Sequence, residues 1–227
     1  MATVTPSRVF GRRDVRLLAV AVLVELLLLA LYFAVRPERP TNIRYTLYPF
    51  VWLNVGLLAV INVDVPSASR RHRLVAVAVA GLYFLFLLAL AGLVGLFPSD
   101  ELLWTVSTLE VEPGSPGLER VHLVTATFYV SFVTFRTFGF LVLSYLVYVT
   151  VLDVSGGLAA GALGVFSCVG CAFPVLVSLS AGLFGSTAIA SAVYGAQFDI
   201  STAVFVLAVA LLYWQPGFGR LAAKFES

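Results

Sequence analysis

Two cysteines lie three residues apart in an apolar stretch and are the only cysteines in the chain. Cys168 and Cys171 occur in the segment SCVGCAFP, so on a helix both thiols lie on nearly the same face. A dithiol at this spacing can cycle to a disulfide, because its Cα atoms meet the required separation of about 4.4–6.8 Å. Two thiolates can instead hold a soft ion such as Cu(I). The pair therefore indicates thiol redox or copper chemistry, unless both residues serve only as small packing groups.

The backbone beside these cysteines is expected to open. Pro174 has no N–H, so the carbonyl of Gly170, between the two cysteines, loses its helical donor. Proline also disfavours helical angles at the residue that precedes it. The pattern therefore predicts a helix kink at the thiols, and an opened turn helps a disulfide to reach its dihedral angle.

Two charged residues fall inside apolar segments and are candidates for electrostatic support of the thiols. Glu25 lies in the middle of the first apolar run and Arg136 in the fourth. Each costs at least about 2.5–3.5 kcal/mol at the centre of a bilayer, so each should seek a partner. One hypothesis is that Glu25 and Arg136 pair, since long side chains can lean toward each other; the alternatives are that Arg136 snorkels outward and that Glu25 is protonated. A positive charge at the depth of the cysteines would also favour a thiolate.

The composition indicates a membrane protein. Of the 227 residues, 60% are apolar and 11% are charged, with a mean hydropathy of +1.00. Soluble domains carry about 25% charged residues, and a core of this size cannot hide the excess apolar surface. The net charge of +2 is too small to suggest nucleic acid as a partner. We expect an all-α integral membrane bundle that forms a single domain over residues 1–227.

Six segments meet the length and polarity criteria for spanning helices. They cover approximately residues 16–35, 45–63, 74–97, 129–152, 158–179 and 200–214. The run from Leu17 to Val35 exceeds the core of a signal peptide, so the first helix is expected to be retained. Val121–Arg136 is interpreted as an interfacial helix, and Ser180–Phe198 as a re-entrant or short surface helix. Asp199 is expected to be the N-cap of helix six.

Arginine distribution predicts the orientation. The basic residues of the two tails and of the loop between helices two and three share one side if six spans are present. They are Arg8, Arg12, Arg13, Arg16, Arg70, Arg71, Arg73, Arg220 and Lys224. Both termini are therefore expected in the cytoplasm, and the acidic segment 98–120 outside. Trp52, Trp104 and Trp214 are interpreted as interfacial anchors.

The segment SCVGCAFPVLVSLSAGLFG resembles uncharacterised archaeal, haloarchaeal-type membrane proteins that carry a C-x-x-C-x-x-P element. The chain is also similar in size and span count to the six-helix thiol transporters of cytochrome c maturation. In that family the two cysteines lie in different helices, whereas Cys168 and Cys171 share one. Membrane disulfide-generating enzymes that use a quinone, such as the vitamin K epoxide reductase type, place C-x-x-C at a helix end. They add a second cysteine pair that this chain lacks.

These patterns leave two functions open. In the first, Cys168 and Cys171 form a thiol–disulfide relay or handle Cu(I), so copper and a quinone are the cofactors to consider. The partners would be the lipid bilayer and another membrane or extracytoplasmic protein. In the second, the chain is a non-catalytic permease-like or assembly subunit of a transporter or respiratory complex, and the cysteines only pack. Motifs for nucleotide hydrolysis are not found in the sequence.

Overall fold

A computed structural model provides the structure of the protein. It describes residues 12–35, 43–96, 106–114, 116–153 and 187–214. In chain order, the described helices are α1 to α5 and the strands are β1 to β4. The helices are α1 (Arg12–Val35), α2 (Ile43–Asn62), α3 (Arg70–Leu90), α4 (Thr134–Asp153) and α5 (Thr187–Trp214). The strands are β1 (Val94–Leu96), β2 (Val106–Glu112), β3 (Arg120–Thr125) and β4 (Phe128–Val133).

Four described helices are long and apolar enough to cross a membrane. They are α1, α2, α3 and most of α4, Thr134–Leu152, with mean hydropathies between 1.3 and 2.7. They overlap the first four predicted spans, although residues 94–96 of the third and 129–133 of the fourth form strands instead of helix. The sixth predicted span lies in α5, of which Phe198–Tyr213 forms a shorter apolar helix. The fifth predicted span, 158–179, lies outside the described residues.

The expectation of a bundle of apolar helices is confirmed in part: the described residues are mostly helical, but they also contain a four-stranded antiparallel sheet, so the fold is not all-α. Its strand order is β1-β4-β3-β2. Three of its four strands lie in the segment 98–136, for which the sequence predicts an acidic outer loop followed by an interfacial helix. The reason is visible in VSTLEVE and RVHLVT, where apolar and polar residues alternate with the period of a strand. A hydropathy average over a helix-length window removes this alternation.

The sheet is joined closely to the helices. Thr134 begins α4 directly after β4 ends at Val133, and three residues separate α3 from β1. The first two N–H groups of α4 have no partner within the helix, and both are satisfied by the β2–β3 connection. Thr134 N–H donates to the carbonyl of Glu119 at 3.3 Å, and Phe135 N–H to that of Gly117 at 3.2 Å. The end of the bundle that carries these junctions is called the sheet end below.

Gly117 is required in this connection. Its φ of +89° lies in the left-handed region, which disfavours residues with a Cβ. An added Cβ would also lie 2.6 Å from Cβ of Pro49, a buried residue of α2. The β2–β3 connection therefore reaches from the sheet onto α2 as well as onto α4.

Helices α2, α4 and α5 meet around the indole of Trp52, which is 3% exposed. The indole stacks on Phe205 of α5, with centroids 4.0 Å apart and planes 5° apart. Phe135 and Phe140 of α4 pack edge-on against it at 5.4 and 6.2 Å. Gly139 of α4 lies directly against the ring. Trp52 is therefore a core residue, and its interpretation as an interfacial anchor is wrong.

The contacts also give the helix directions. Arg136 lies near Phe198, and Gly139, one turn later, lies near Phe205, so α4 and α5 run in the same direction. Helix α2 runs parallel to both, since its residues meet theirs in increasing order. Helix α3 runs the opposite way, because His72 Nε2 near its start lies 3.2 Å from the carbonyl of Val151 near the end of α4.

Replacing Gly139 with alanine tests the close contact at Trp52. The added Cβ would overlap the indole and lie 2.6 Å from its Cζ3, and Phe205 blocks the ring from moving away. We expect a loss of about 1–3 kcal/mol in the free energy of unfolding. This corresponds to a thermal midpoint lower by roughly 2–4 °C for each kcal/mol, measured in detergent micelles. Gly81→Ala is the matched control, since nothing lies within 4 Å of its added Cβ. Equal midpoints for the two variants would contradict the packing described here.

Candidate functional site

A cluster of polar and charged side chains lies at the sheet end of α2, α4 and α5. Asp199 of α5 accepts a hydrogen bond from the hydroxyl of Tyr48 on α2. Arg44, one turn earlier on α2, places Nη1 3.7 Å from the same carboxylate oxygen. Asp199 lies in the interior of α5, twelve residues after Thr187, so its interpretation as an N-cap is wrong. The carboxylate instead joins α5 to α2.

Arg136, the third residue of α4, lies beside the Phe198 ring of α5. Its guanidinium carbon is 5.3 Å from the centroid of the Phe198 ring and 5.9 Å from that of Phe135. Phe198 also packs against the Tyr45 ring at 5.2 Å. Among the described residues, no carboxylate oxygen lies within 4.0 Å of the Arg136 guanidinium. Two aromatic rings therefore provide its immediate surroundings, an arrangement that stabilises a cation.

The cluster adjoins a buried hydrogen bond between α2 and α5. Trp52 Nε1 donates to Thr202 Oγ1 at 3.0 Å, and both residues are buried. A buried indole N–H usually finds a partner, and here the partner lies one helical turn from Asp199. The cluster is therefore bounded on one side by the aromatic core and on the other by the sheet end.

The predicted pair of Glu25 and Arg136 is not formed. Both carboxylate oxygens of Glu25 accept from Asn54 Nδ2, at 2.9 and 2.7 Å. The reason is the packing of α1, which contacts mainly α2. Glu25 therefore meets a polar side chain of α2 first. Arg136 is held by Phe135 and Phe198 instead.

The remaining predicted site residues are Cys168, Gly170, Cys171 and Pro174, and all four lie outside the described residues. The thiol pair and the predicted kink therefore stay predictions. Within the described part of the chain, no group of three or more His, Cys, Asp or Glu side chains is placed to hold a metal ion.

Comparison with known proteins assigns the family. A family model described as a family of unknown function, DUF7546, matches residues 1–219. The chain belongs to this family. No curated protein and no solved structure matches the chain. The expectation of an uncharacterised family is confirmed, whereas the archaeal origin and the shared C-x-x-C-x-x-P element remain predictions.

Sequence reasoning missed Tyr48 and the role of Asp199. Both residues lie in apolar runs, where an acidic side chain is costly without a partner. An aspartate at an N-cap accepts hydrogen bonds from its own helix, so the N-cap assignment of Asp199 predicts no partner on another helix. A helix that begins at Thr187 places Asp199 in its interior, where a donor on a neighbouring helix is expected.

Tyr48→Phe tests the link between α2 and α5. The variant removes the hydroxyl that donates to Asp199 and leaves the ring in place. Hydrogen bonds to charged groups contribute about 1.5–3 kcal/mol, so the thermal midpoint in detergent should fall by several degrees. Tyr145→Phe is the control, since its hydroxyl makes no hydrogen bond within the described residues and its ring contacts Tyr148. A Tyr48→Phe variant as stable as Tyr145→Phe would show that the hydroxyl contributes nothing.

A double-mutant cycle tests Glu25 and Asn54. Asn54→Leu should destabilise by about 1.5–3 kcal/mol, because it leaves the carboxylate without its donor. Glu25→Leu combined with Asn54→Leu should recover most of that loss, since both polar groups are then removed. Unfolding in detergent measures the coupling, and strictly additive effects would contradict it. A charge exchange between Glu25 and Arg136 should give no rescue.

Proposed function

We propose that the protein is a six-span membrane protein with both termini in the cytoplasm and the sheet on the extracytoplasmic side. The parallel directions of α4 and α5 support a crossing between them, because the chain from Asp153 to Thr187 has to return to the sheet end. The predicted fifth span, 158–179, has the length for this crossing. The basic segment that begins α3 lies at the opposite end from the acidic sheet, which agrees with the positive-inside rule.

Within this arrangement, the function that we propose is a membrane thiol site at Cys168 and Cys171. The observation that carries it is Arg136, a half-buried guanidinium with aromatic neighbours and no carboxylate within 4.0 Å among the described residues. A guanidinium in these surroundings favours an anion close to it. The described residues do not supply one within 4.0 Å. A thiolate is an anion that an adjacent arginine stabilises.

The depth of the cysteines agrees with this role. Arg136 precedes Asp153 by 17 residues, which is about 26 Å along α4. If the returning segment rises as a helix from Leu158, where the predicted fifth span begins, Cys168 and Cys171 lie 10 and 13 residues along it, or about 15 and 20 Å. Cys171 would then lie within about 6 Å of the height of Arg136, a difference that the long arginine side chain can span.

The proposed reaction is thiol–disulfide exchange or its quinone-linked equivalent. The dithiol gives two electrons and two protons to a partner disulfide or to a quinone, and one S–S bond forms between Cys168 and Cys171. The partner leaves as a dithiol or a quinol. The alternative cargo is Cu(I), held between the two thiolates without any change of oxidation state. The opened turn at Gly170 and Pro174 would give either partner access to the sulfur atoms.

Thiol alkylation of the purified protein in micelles tests this proposal. We expect labelling to increase with reductant and to fall after a quinone or a disulfide is added, and to be absent in Cys168→Ser/Cys171→Ser. Arg136→Gln should slow alkylation roughly tenfold by lowering the thiolate fraction. Arg44→Gln is the matched control, since Arg44 lies at the same end but already has Asp199 as its acid.

The outcomes separate the alternatives. Labelling that responds to neither reductant nor oxidant, together with no stoichiometric Cu(I), would leave the cysteines as packing residues. Equal alkylation rates for Arg136→Gln and Arg44→Gln would show that Arg136 does not act on the thiols. The response to reductant and oxidant would still decide whether the thiols are redox-active.

The second candidate is a non-catalytic assembly or permease-like subunit. The observation that favours it is the sheet, because β2 forms an edge whose N–H and C=O groups can pair with another chain. Under this alternative the double cysteine variant still copurifies with its membrane partner. Under the thiol proposal the variant loses its redox response whether or not a partner is retained.

A further inference from the structure

One face of the sheet consists of apolar residues apart from Thr125 at the end of β3, whose hydroxyl donates to the carbonyl of Phe128. The pairing register places Leu109 beside Leu123, and Val111 beside Val121. The same register continues through β4 to β1. The residues of this apolar face are Leu109, Val111, Val121, Leu123, Phe128, Val130, Phe132, Val94 and Leu96.

The charges of the sheet all lie on the opposite face. There Glu112 approaches Arg120 at 4.0 Å and His122 at 3.6 Å, so opposite charges are close together. Ser131 and Val133 on this second face are buried. The second face is therefore the one that carries polar contacts and turns partly toward the protein, whereas the apolar face has no charge at all.

The apolar face is uncovered over part of its area, whereas Val94 packs against the core and Thr125 is buried. Five of its side chains are exposed, with the fraction rising to 84% for the last residue of β1. They are Val121 at 37%, Phe132 at 44%, Val111 at 64%, Leu109 at 65% and Leu96 at 84%. A continuous apolar patch of this kind is uncommon on a protein surface that faces water. We therefore expect an apolar partner to cover it.

The exposed apolar surface continues from the helices into the sheet. Leu141, in the middle of α4, is 52% exposed, and a residue at that position in a spanning helix faces lipid. Phe132 lies two residues before the start of α4 and is also exposed. On the adjoining helix α3, Leu82 and Leu85 are exposed in the turns that lead to β1. The apolar face therefore adjoins surfaces that already require lipid.

The size of the face argues against a second copy of the chain as its occupant. Four strands at about 4.8 Å spacing and six residues at about 3.4 Å rise give a footprint of roughly 400 Å². A stable protein interface buries about 800 Å² on each partner. Lipid requires no such area, since the helices already hold the sheet at the membrane surface.

We propose that the apolar face is seated in the interfacial layer of the bilayer at the sheet end. This layer adds about 5–8 Å to each side of the hydrocarbon region. The short junctions to α3 and α4 place the sheet at that depth. The sheet thus acts as a second membrane-binding element beside the spanning helices and sets how deeply α3 and α4 sit. This inference does not depend on the cysteines.

Spin labels on neighbouring residues of β2 test the proposal. Leu109→Cys and Val111→Cys place the label on the apolar face, and Glu110→Cys, the matched control, places it on the opposite face. Each is made in the Cys168→Ser/Cys171→Ser background and reconstituted in phosphatidylcholine vesicles. We expect the ratio of collisions with oxygen to collisions with a water-soluble nickel chelate to be several-fold higher at positions 109 and 111 than at 110. All three native side chains are exposed, so labelling should leave the fold intact, and the unfolding midpoint checks this.

Three results would overturn the proposal. Nickel collisions as frequent at positions 109 and 111 as at 110 would show that the face contacts water. Exclusion of both reagents with dipolar broadening that grows with protein density would identify a second copy. Exclusion of both without broadening would show that another part of this chain covers the face. Because the background lacks both thiols, none of these results bears on the proposed redox site.

Discussion

The flat stacking of Trp52 on Phe205 is the interaction on which the described bundle depends. Its planes are 5° apart and its centroids 4.0 Å apart, and the absence of a side chain at Gly139 lets α4 approach the same ring. The indole N–H is satisfied by Thr202 of α5. One side chain of α2 therefore fixes the distance of two other helices. The parallel directions of α2, α4 and α5 bring their sheet ends together, and the polar cluster forms there.

Charged groups in this apolar bundle are accommodated in three different ways. Glu25 has an uncharged amide donor, Asp199 has a phenol and an arginine, and Arg136 has two aromatic rings. Only the second of these includes a direct ion pair. The expected pairing of Glu25 with Arg136 assumed that opposite charges find each other across the bundle. In the structure each is satisfied by the helix that packs next to it, because side chains reach only a few ångströms.

The helices could be predicted from the sequence because the signal is long and repeated. Apolar runs of about 20 residues in 12–35, 43–62 and 70–90 leave few alternatives to spanning helices. The sheet could not be predicted in this way, since its strands are three to seven residues long and an average over a helix-length window removes their alternation. Which helices touch also depended on the long-range packing of Trp52. The partners of Glu25, Asp199 and Arg136 follow from those contacts and not from local sequence.

The junction between β4 and α4 contains no hinge. Thr134 continues the chain from Val133 without a linking residue, and its N–H and that of Phe135 are tied to carbonyls of the β2–β3 connection. Strand, hairpin and helix are thus connected without a linking segment. Gly139, which lies against the indole, follows the start of α4 by five residues, about 8 Å, so a displacement of the sheet would act directly on the helix core.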